Sequence, residues 1–188
     1  MGADGLAALN LAIPVYSFIN GSGLMVGMGG GTKYSIRRNQ GEPEEADRAF
    51  SSSVLLAAGF AAVFVAAGLL LPGTLARLLG ADGTVFEMTR TYLQVLLLFS
   101  PMFLFNNLFL SFVRNDGAPQ LAMAAMVLGS LSNVVLDYVF IFPLGLGIFG
   151  AALATGVAPV ISMGILSSYR LQRRNRFHLR LSRPRARL

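Results

Sequence analysis

The chain of 188 residues contains no cysteine and no tryptophan, and its single histidine is His178. Without cysteine there are no disulfides, iron–sulfur clusters or thiolate zinc sites. One histidine within an arginine-rich tail is no basis for a histidine-based catalytic triad or a multi-histidine metal site. We therefore expect a protein that is not an enzyme and that carries no resident cofactor.

Charged residues are also scarce. They make up 13% of the chain, whereas a soluble domain has about 25%. Hydrophobic residues reach 54% and the mean hydropathy is +0.62. The net charge of +6 and the pI of about 10.5 are compatible with nucleic-acid binding, but the apolar excess favours a lipid bilayer as the partner and argues against nucleic acid.

Long stretches with little or no charge separate the charged clusters. A helix needs about 20 apolar residues to cross a hydrocarbon core of roughly 30 Å. The Pro143–Gly147 stretch suits a tight turn between two such helices. We therefore predict an all-α membrane protein with five transmembrane helices, at residues 6–32, 50–72, 91–113, 119–142 and 147–169.

The basic residues predict the orientation of these helices. If the five spans alternate in direction, the first connector, the third connector and the C-terminal tail lie on one side of the membrane. These segments carry 13 of the 15 lysines and arginines. The opposite side has only Arg77 and Arg90. Because cytoplasmic connectors are enriched in lysine and arginine, we expect the N-terminus outside and the C-terminus in the cytoplasm.

Asp137 is the most informative residue, because a carboxylate within a span costs about 2.5–3.5 kcal/mol on insertion scales and usually faces a bundle interior or a wet cavity. Asn133 lies four residues earlier, on the same helical face. Thr155 follows on the next helix, at a depth of roughly 12 Å from the outer end against roughly 9 Å for Asp137. We expect the three side chains to converge.

Oxygen donors of this kind suit Na⁺, and the carboxylate also suits a proton. The alternative is that Asp137 extends to the membrane interface beside Tyr138 while Asn133 bonds a neighbouring helix.

Other residues within the spans allow two interpretations each. Polar side chains either line a cavity or join helices by hydrogen bonds, and this applies to Asn20, Asn106 and Asn107. A Met and Phe cluster either lines a cavity or faces lipid and core, at Met102, Phe103, Phe105 and Phe109. Prolines within helices favour kinks, at Pro14, Pro101 and Pro159. Small residues at a four-residue spacing predict close helix packing, at Gly23, Gly27 and Gly31.

Several stretches together resemble the N-terminal lobe of multidrug and toxic compound extrusion (MATE) transporters. They occur in family order over residues 4–170, at 8–14, 27–32, 45–50, 78–81, 112–117, 133–137 and 150–155. The resemblance implies a twelve-helix fold of two lobes, of which this chain matches helices 2–6. Residues 1–169 are then a partial N-terminal transmembrane lobe, and residues 170–188 an arginine-rich cytoplasmic tail or inter-lobe linker.

The resemblance also implies a function: export of organic cations or other amphiphiles across the cytoplasmic (inner) membrane, driven by Na⁺ or H⁺. Asn133, Asp137 and Thr155 match the family's cation site, and Tyr92 and Asn107 fall near polar positions of its cavity. The family's first helix and second lobe have no counterpart here, so we expect a part that is inactive alone. The alternatives are a truncated membrane remnant, an assembly partner, or a lipid flippase of related fold.

Overall fold

The computed structural model describes residues 3–171 and 177–179. Residues 3–171 fold into seven α-helices joined by short turns. The helices are α1 (Ala3–Asn39), α2 (Pro43–Leu70), α3 (Pro72–Leu78), α4 (Gly83–Leu98), α5 (Ser100–Asn115), α6 (Pro119–Ile141) and α7 (Gly147–Leu171).

Proline begins four of these helices. Pro43, Pro72, Pro101 and Pro119 each occupy the first turn of α2, α3, α5 and α6. The first turn tolerates proline because its N–H groups have no partner within the helix, and the fixed backbone angle favours the helical conformation. Pro101 lies in the first turn of α5, which begins at Ser100, and the segment is bent at this point, as the proline predicted. Pro14 and Pro159 lie inside α1 and α7.

Four helices of the described chain are long and apolar enough to cross a membrane, namely α1, α2, α6 and α7. The helices α4 and α5 pass the same test only together and are bent by 46° at the break between them, so the pair is a fifth candidate crossing. The predicted single helix over 91–113 is therefore wrong in two respects: the segment is broken at Phe99, and its first part begins at Gly83. The short helix α3 was not predicted.

The break between α4 and α5 has a physical cause. Pro101 has no N–H to donate to the carbonyl four residues earlier, so the hydrogen-bond ladder is interrupted there. The ring of Phe99 lies against Gly156 of α7 so closely that a Cβ at Gly156 would be 2.5 Å from the Phe99 Cγ. The ring thus packs where α7 has no side chain, and this contact holds the bend against α7.

Glycine brings α1 and α5 together. A Cβ at Gly23 would lie 3.2 Å from the Leu104 Cα, and a Cβ at Gly27 would lie 3.1 Å from the Leu108 Cα. Apolar helices gain little by association in lipid, so close backbone packing of this kind is a main source of stability. The contact confirms the close packing predicted from the spacing of the glycines.

The two ends of the bundle differ in charge. One end, here called the basic end, holds the α1–α2 and α5–α6 turns, and Lys33, Arg37, Arg38, Arg48 and Arg114 lie on the helix turns next to them. At this end the Tyr34 hydroxyl of α1 donates a hydrogen bond of 2.5 Å to Asp116. At the opposite end the Thr84 hydroxyl donates one of 2.9 Å to Asp4. These bonds tie both ends of α1 to distant parts of the chain.

We predict that Gly27→Ala destabilises the bundle. The added methyl carbon would lie 2.8 Å from the Asn107 carbonyl oxygen and 2.9 Å from the Ser111 Oγ, so α1 and α5 would have to separate. Overpacking of this kind costs about 1–3 kcal/mol. Thermal unfolding in detergent should show a lower melting temperature.

Gly29→Ala is the matched control, because a Cβ at Gly29 has no atom within 4 Å among the described residues. Equal melting temperatures for the two variants would contradict the role of Gly27 in the contact.

Candidate functional site

A cavity of about 390 Å³ lies within the bundle. Four helices form its walls, α1, α5, α6 and α7. Its polar lining residues are uncharged: Tyr16, Asn20, Asn106, Asn107, Ser130, Asn133, Thr155 and Ser162. Such a lining offers hydrogen-bond donors and acceptors without a fixed charge.

Asn133 and Thr155, which the sequence predicted to converge, both line this cavity. The Thr155 hydroxyl donates a hydrogen bond of 2.9 Å to the Ala151 carbonyl, so its oxygen lone pairs still face outward from its own helix. The buried Asn133 Nδ2 has no hydrogen-bond partner among the residues of the described chain. The Asn133 amide is therefore not used to join two helices.

Asp137 lies one helical turn beyond Asn133 and does not line the cavity itself. Its side of α6 is partly buried, whereas the neighbouring Val135 and Tyr138 are 60% and 63% exposed. Tyr92 of α4 is buried nearby, within electrostatic range of the Asp137 carboxylate and close to Thr155, although Tyr92 itself is not among the residues that line the cavity. Tyr92 thus lies near both the carboxylate and the cavity wall.

Asn20 and Asn107 combine both roles that the sequence left open for them. The Asn107 Nδ2 donates a hydrogen bond of 3.2 Å to the Asn20 Oδ1, which joins α5 to α1. The Asn20 Nδ2 donates to the Tyr16 carbonyl, also at 3.2 Å. Both side chains line the cavity as well. The pair therefore holds two helices together and forms part of the polar surface.

Two further cavity residues carry buried polar atoms without partners. The Asn106 Oδ1 and the Ser162 Oγ have no hydrogen bond within residues 3–171 and 177–179. The sequence left the role of Asn106 open and led to no prediction for Ser162. The available signal for Ser162 was its position seven residues after Thr155, which places both on one face of α7. Three unpaired atoms around one cavity favour a ligand-binding role, since buried polar groups are otherwise paired.

The expected aromatic and thioether lining differs in detail. Phe103 and Met126 line the cavity, whereas Met102 and Phe105 do not. The Phe105 ring instead stacks on Phe109 at a centroid distance of 6.3 Å and packs against the apolar cluster at the basic end. Four residues separate Phe105 from Phe109, so their rings follow one face of α5, and this face is directed away from the cavity.

No group of three or more His, Cys, Asp or Glu side chains in the described ranges is arranged to hold a metal ion. The carboxylate next to the cavity belongs to Asp137, one helical turn beyond Asn133, and the polar residues that line the cavity are uncharged. One such carboxylate balances a single positive charge.

The MatE family model matches residues 1–139. The chain belongs to the MatE family. One curated relative is the multidrug export protein MepA of Staphylococcus saprophyticus, which is 29% identical over 94% of this chain. Another is the multidrug export protein MepA of Staphylococcus aureus, which is 32% identical over 82% of this chain. The alignments span 39% and 34% of those proteins. The MatE chain is thus much shorter than these relatives and corresponds to part of one lobe.

Solved structures of multidrug resistance MATE transporters have the same fold. A transporter in an inward-facing conformation matches 98% of this MatE chain with a TM-score of 0.90 and 32% identity, and the match covers 43% of that transporter. An outward-facing conformation matches with a TM-score of 0.89 and 31% identity, and 42% of it is covered. Apolar helices and these relatives identify a multi-pass membrane protein.

We predict that Asn133→Leu and Asn107→Leu affect stability in opposite ways. Asn133→Leu removes a buried amide nitrogen that has no partner, so the melting temperature should stay the same or rise. Asn107→Leu breaks the hydrogen bond to Asn20, and such interhelical bonds are worth about 0.6 kcal/mol on average, so the melting temperature should fall. A destabilising Asn133→Leu would mean that this amide is structural.

Proposed function

We propose that the chain forms part of the N-terminal lobe of a cation-coupled multidrug efflux antiporter in the cytoplasmic membrane. The observation that carries the proposal is the link from a partly buried carboxylate to a neutral polar cavity. Tyr92 lies within electrostatic range of Asp137 and close to Thr155, and Thr155 lines the cavity together with Asn133. Binding of a cation at the carboxylate thereby alters the surroundings of the cavity.

The coupling ion is Na⁺ or H⁺. One carboxylate with amide and hydroxyl oxygens nearby is suited to a hard monovalent cation, and the same carboxylate can hold a proton. The proposed site consists of Asp137, Asn133 and Thr155. Cation binding neutralises the carboxylate, and a ligand shifts a conformational equilibrium by as much as its affinities for the two states differ.

Substrate export requires more than this lobe. Alternating access is largely the movement of one helix bundle against another around a shared site. The described lobe resembles inward-facing and outward-facing transporters almost equally, with TM-scores of 0.90 and 0.89, and this similarity supports a lobe that moves as a rigid body. The partners of this chain are then the family's first helix and a second lobe. The transported substrates are small amphiphilic or cationic molecules.

The basic end faces the cytoplasm in this proposal. The lysines and arginines at the α1–α2 and α5–α6 turns support that orientation, since cytoplasmic connectors carry the excess of basic residues. The cavity wall at Asn133 and Thr155 is then closer to the outer surface.

We predict that Asp137→Asn abolishes cation-dependent efflux by the complete transporter. The amide is similar in size, but it neither binds a proton nor attracts a cation by charge. Export of a fluorescent cationic dye from cells should fall to the level of cells that lack the transporter. Asp82→Asn is the control, because Asp82 is exposed in the turn between α3 and α4 and does not line the cavity. Undiminished, ion-dependent efflux by Asp137→Asn would exclude Asp137 from the mechanism.

A second prediction separates the two coupling ions. Membrane vesicles that contain the complete transporter are given either a Na⁺ gradient or a pH gradient, and dye transport is recorded. One of the two gradients should drive transport, and Asp137→Asn should remove that response because the charge that holds the ion is lost. Transport that needs neither gradient would contradict cation coupling at this site.

A further inference from the structure

Phe177 lies after the last helix, yet it is buried at the basic end of the bundle. Its side chain is 8% exposed. The ring centroid lies 4.8 Å from that of Phe50, 6.1 Å from that of Phe112 and 6.2 Å from that of Tyr34. These three rings, here called the aromatic pocket, are themselves almost fully buried. Phe177 therefore packs as a core residue although it stands in an arginine-rich segment.

The aromatic pocket is built from three helices. Tyr34 comes from α1, Phe50 from α2 and Phe112 from α5. Tyr34 is held in place by its hydrogen bond to Asp116, and the Phe50 and Phe112 rings contact each other at a centroid distance of 4.9 Å. The Phe177 ring, which follows α7 in the chain, thus packs against side chains of three other helices.

A polar contact stands beside the aromatic one. The backbone N–H of His178 donates a hydrogen bond of 3.0 Å to the Asp47 Oδ1. Asp47 is only 7% exposed, and a hydrogen bond to a carboxylate is roughly twice as strong as one between neutral groups. Because the donor belongs to the backbone, this contact sets the path of the chain whatever side chain stands at 178.

We propose that residues 177–179 are an anchor that holds the segment following α7 against α1, α2 and α5. The Phe177 ring occupies the aromatic pocket, and the His178 N–H is held by Asp47. The position of the chain at residue 179 is then fixed by contacts with these three helices and not by the end of α7. Phe177 and Asp47 are positioning residues, and their role is independent of the cation site at the other end of α6.

The anchor can be tested by spin labelling, because the chain has no native cysteine that would also be labelled. Because cysteine is absent, spin labels can be attached at two introduced cysteines, Gln40→Cys and Leu179→Cys, both at exposed positions. The full 188-residue chain is placed in lipid nanodiscs, and the distance between the labels is measured by pulsed electron paramagnetic resonance. An anchored segment should produce one narrow distance distribution.

Two variants remove the two contacts separately. Phe177→Ala removes the ring, and His178→Pro removes the backbone N–H while it leaves the ring in place. Each should cause loss of the narrow distribution. Two matched controls should retain it: His178→Ala, which keeps the N–H, and Phe142→Ala, which removes an exposed ring at the opposite end.

Helix content measured by circular dichroism shows whether each variant is folded. A broad distribution in the otherwise unchanged chain would overturn the proposal, since the segment would then not be anchored. A narrow distribution that survives Phe177→Ala would overturn it as well, because the ring would then not hold the segment.

Discussion

The close approach of α1 to α5 at Gly23 and Gly27 is the contact on which the rest of the lobe depends. In lipid, apolar helices are not driven together by exclusion of water, so small residues that allow backbones to touch largely decide which helices pair. This contact also places Asn107 beside Asn20, whose hydrogen bond completes the α1–α5 pairing and forms one wall of the cavity. Packing and polar lining are thus consequences of the same glycines.

The cavity is maintained at a cost to stability. Asn106, Asn133 and Ser162 each carry a buried polar atom without a partner in the described part of the chain. A buried polar group left unpaired costs about 1–3 kcal/mol, and an apolar side chain of the same shape would avoid that cost. Binding sites commonly retain such unfavourable groups because a ligand completes their hydrogen bonds.

Much of this architecture was predictable from the spacing of charges and from single residues. Long apolar stretches predicted the helical membrane fold. The spacing of Asn133 and Asp137 and the similar depth of Thr155 on the next helix predicted that the three side chains converge. Asn133 and Thr155 do line one cavity, whereas Asp137 does not line it. Pro101 indicated a kink in the third predicted span, but the contact of Phe99 with Gly156, 57 positions away in the sequence, was not predictable in this way. The burial of Phe177 depends likewise on rings from three distant helices, and no local pattern indicates it.

The bend between α4 and α5 has a consequence for how the lobe fits its bilayer. Each arm has 16 residues and is about 24 Å long, so together they exceed a hydrocarbon core of roughly 30 Å even when inclined. The helix length that exceeds the hydrocarbon core is assigned to the first turns of α4, where Glu87 and Arg90 form an ion pair of 3.5 Å. As one crossing, the pair would have two tilts, and a change in the angle between its arms, as well as in the tilt of the whole lobe, would accommodate bilayers of different thickness.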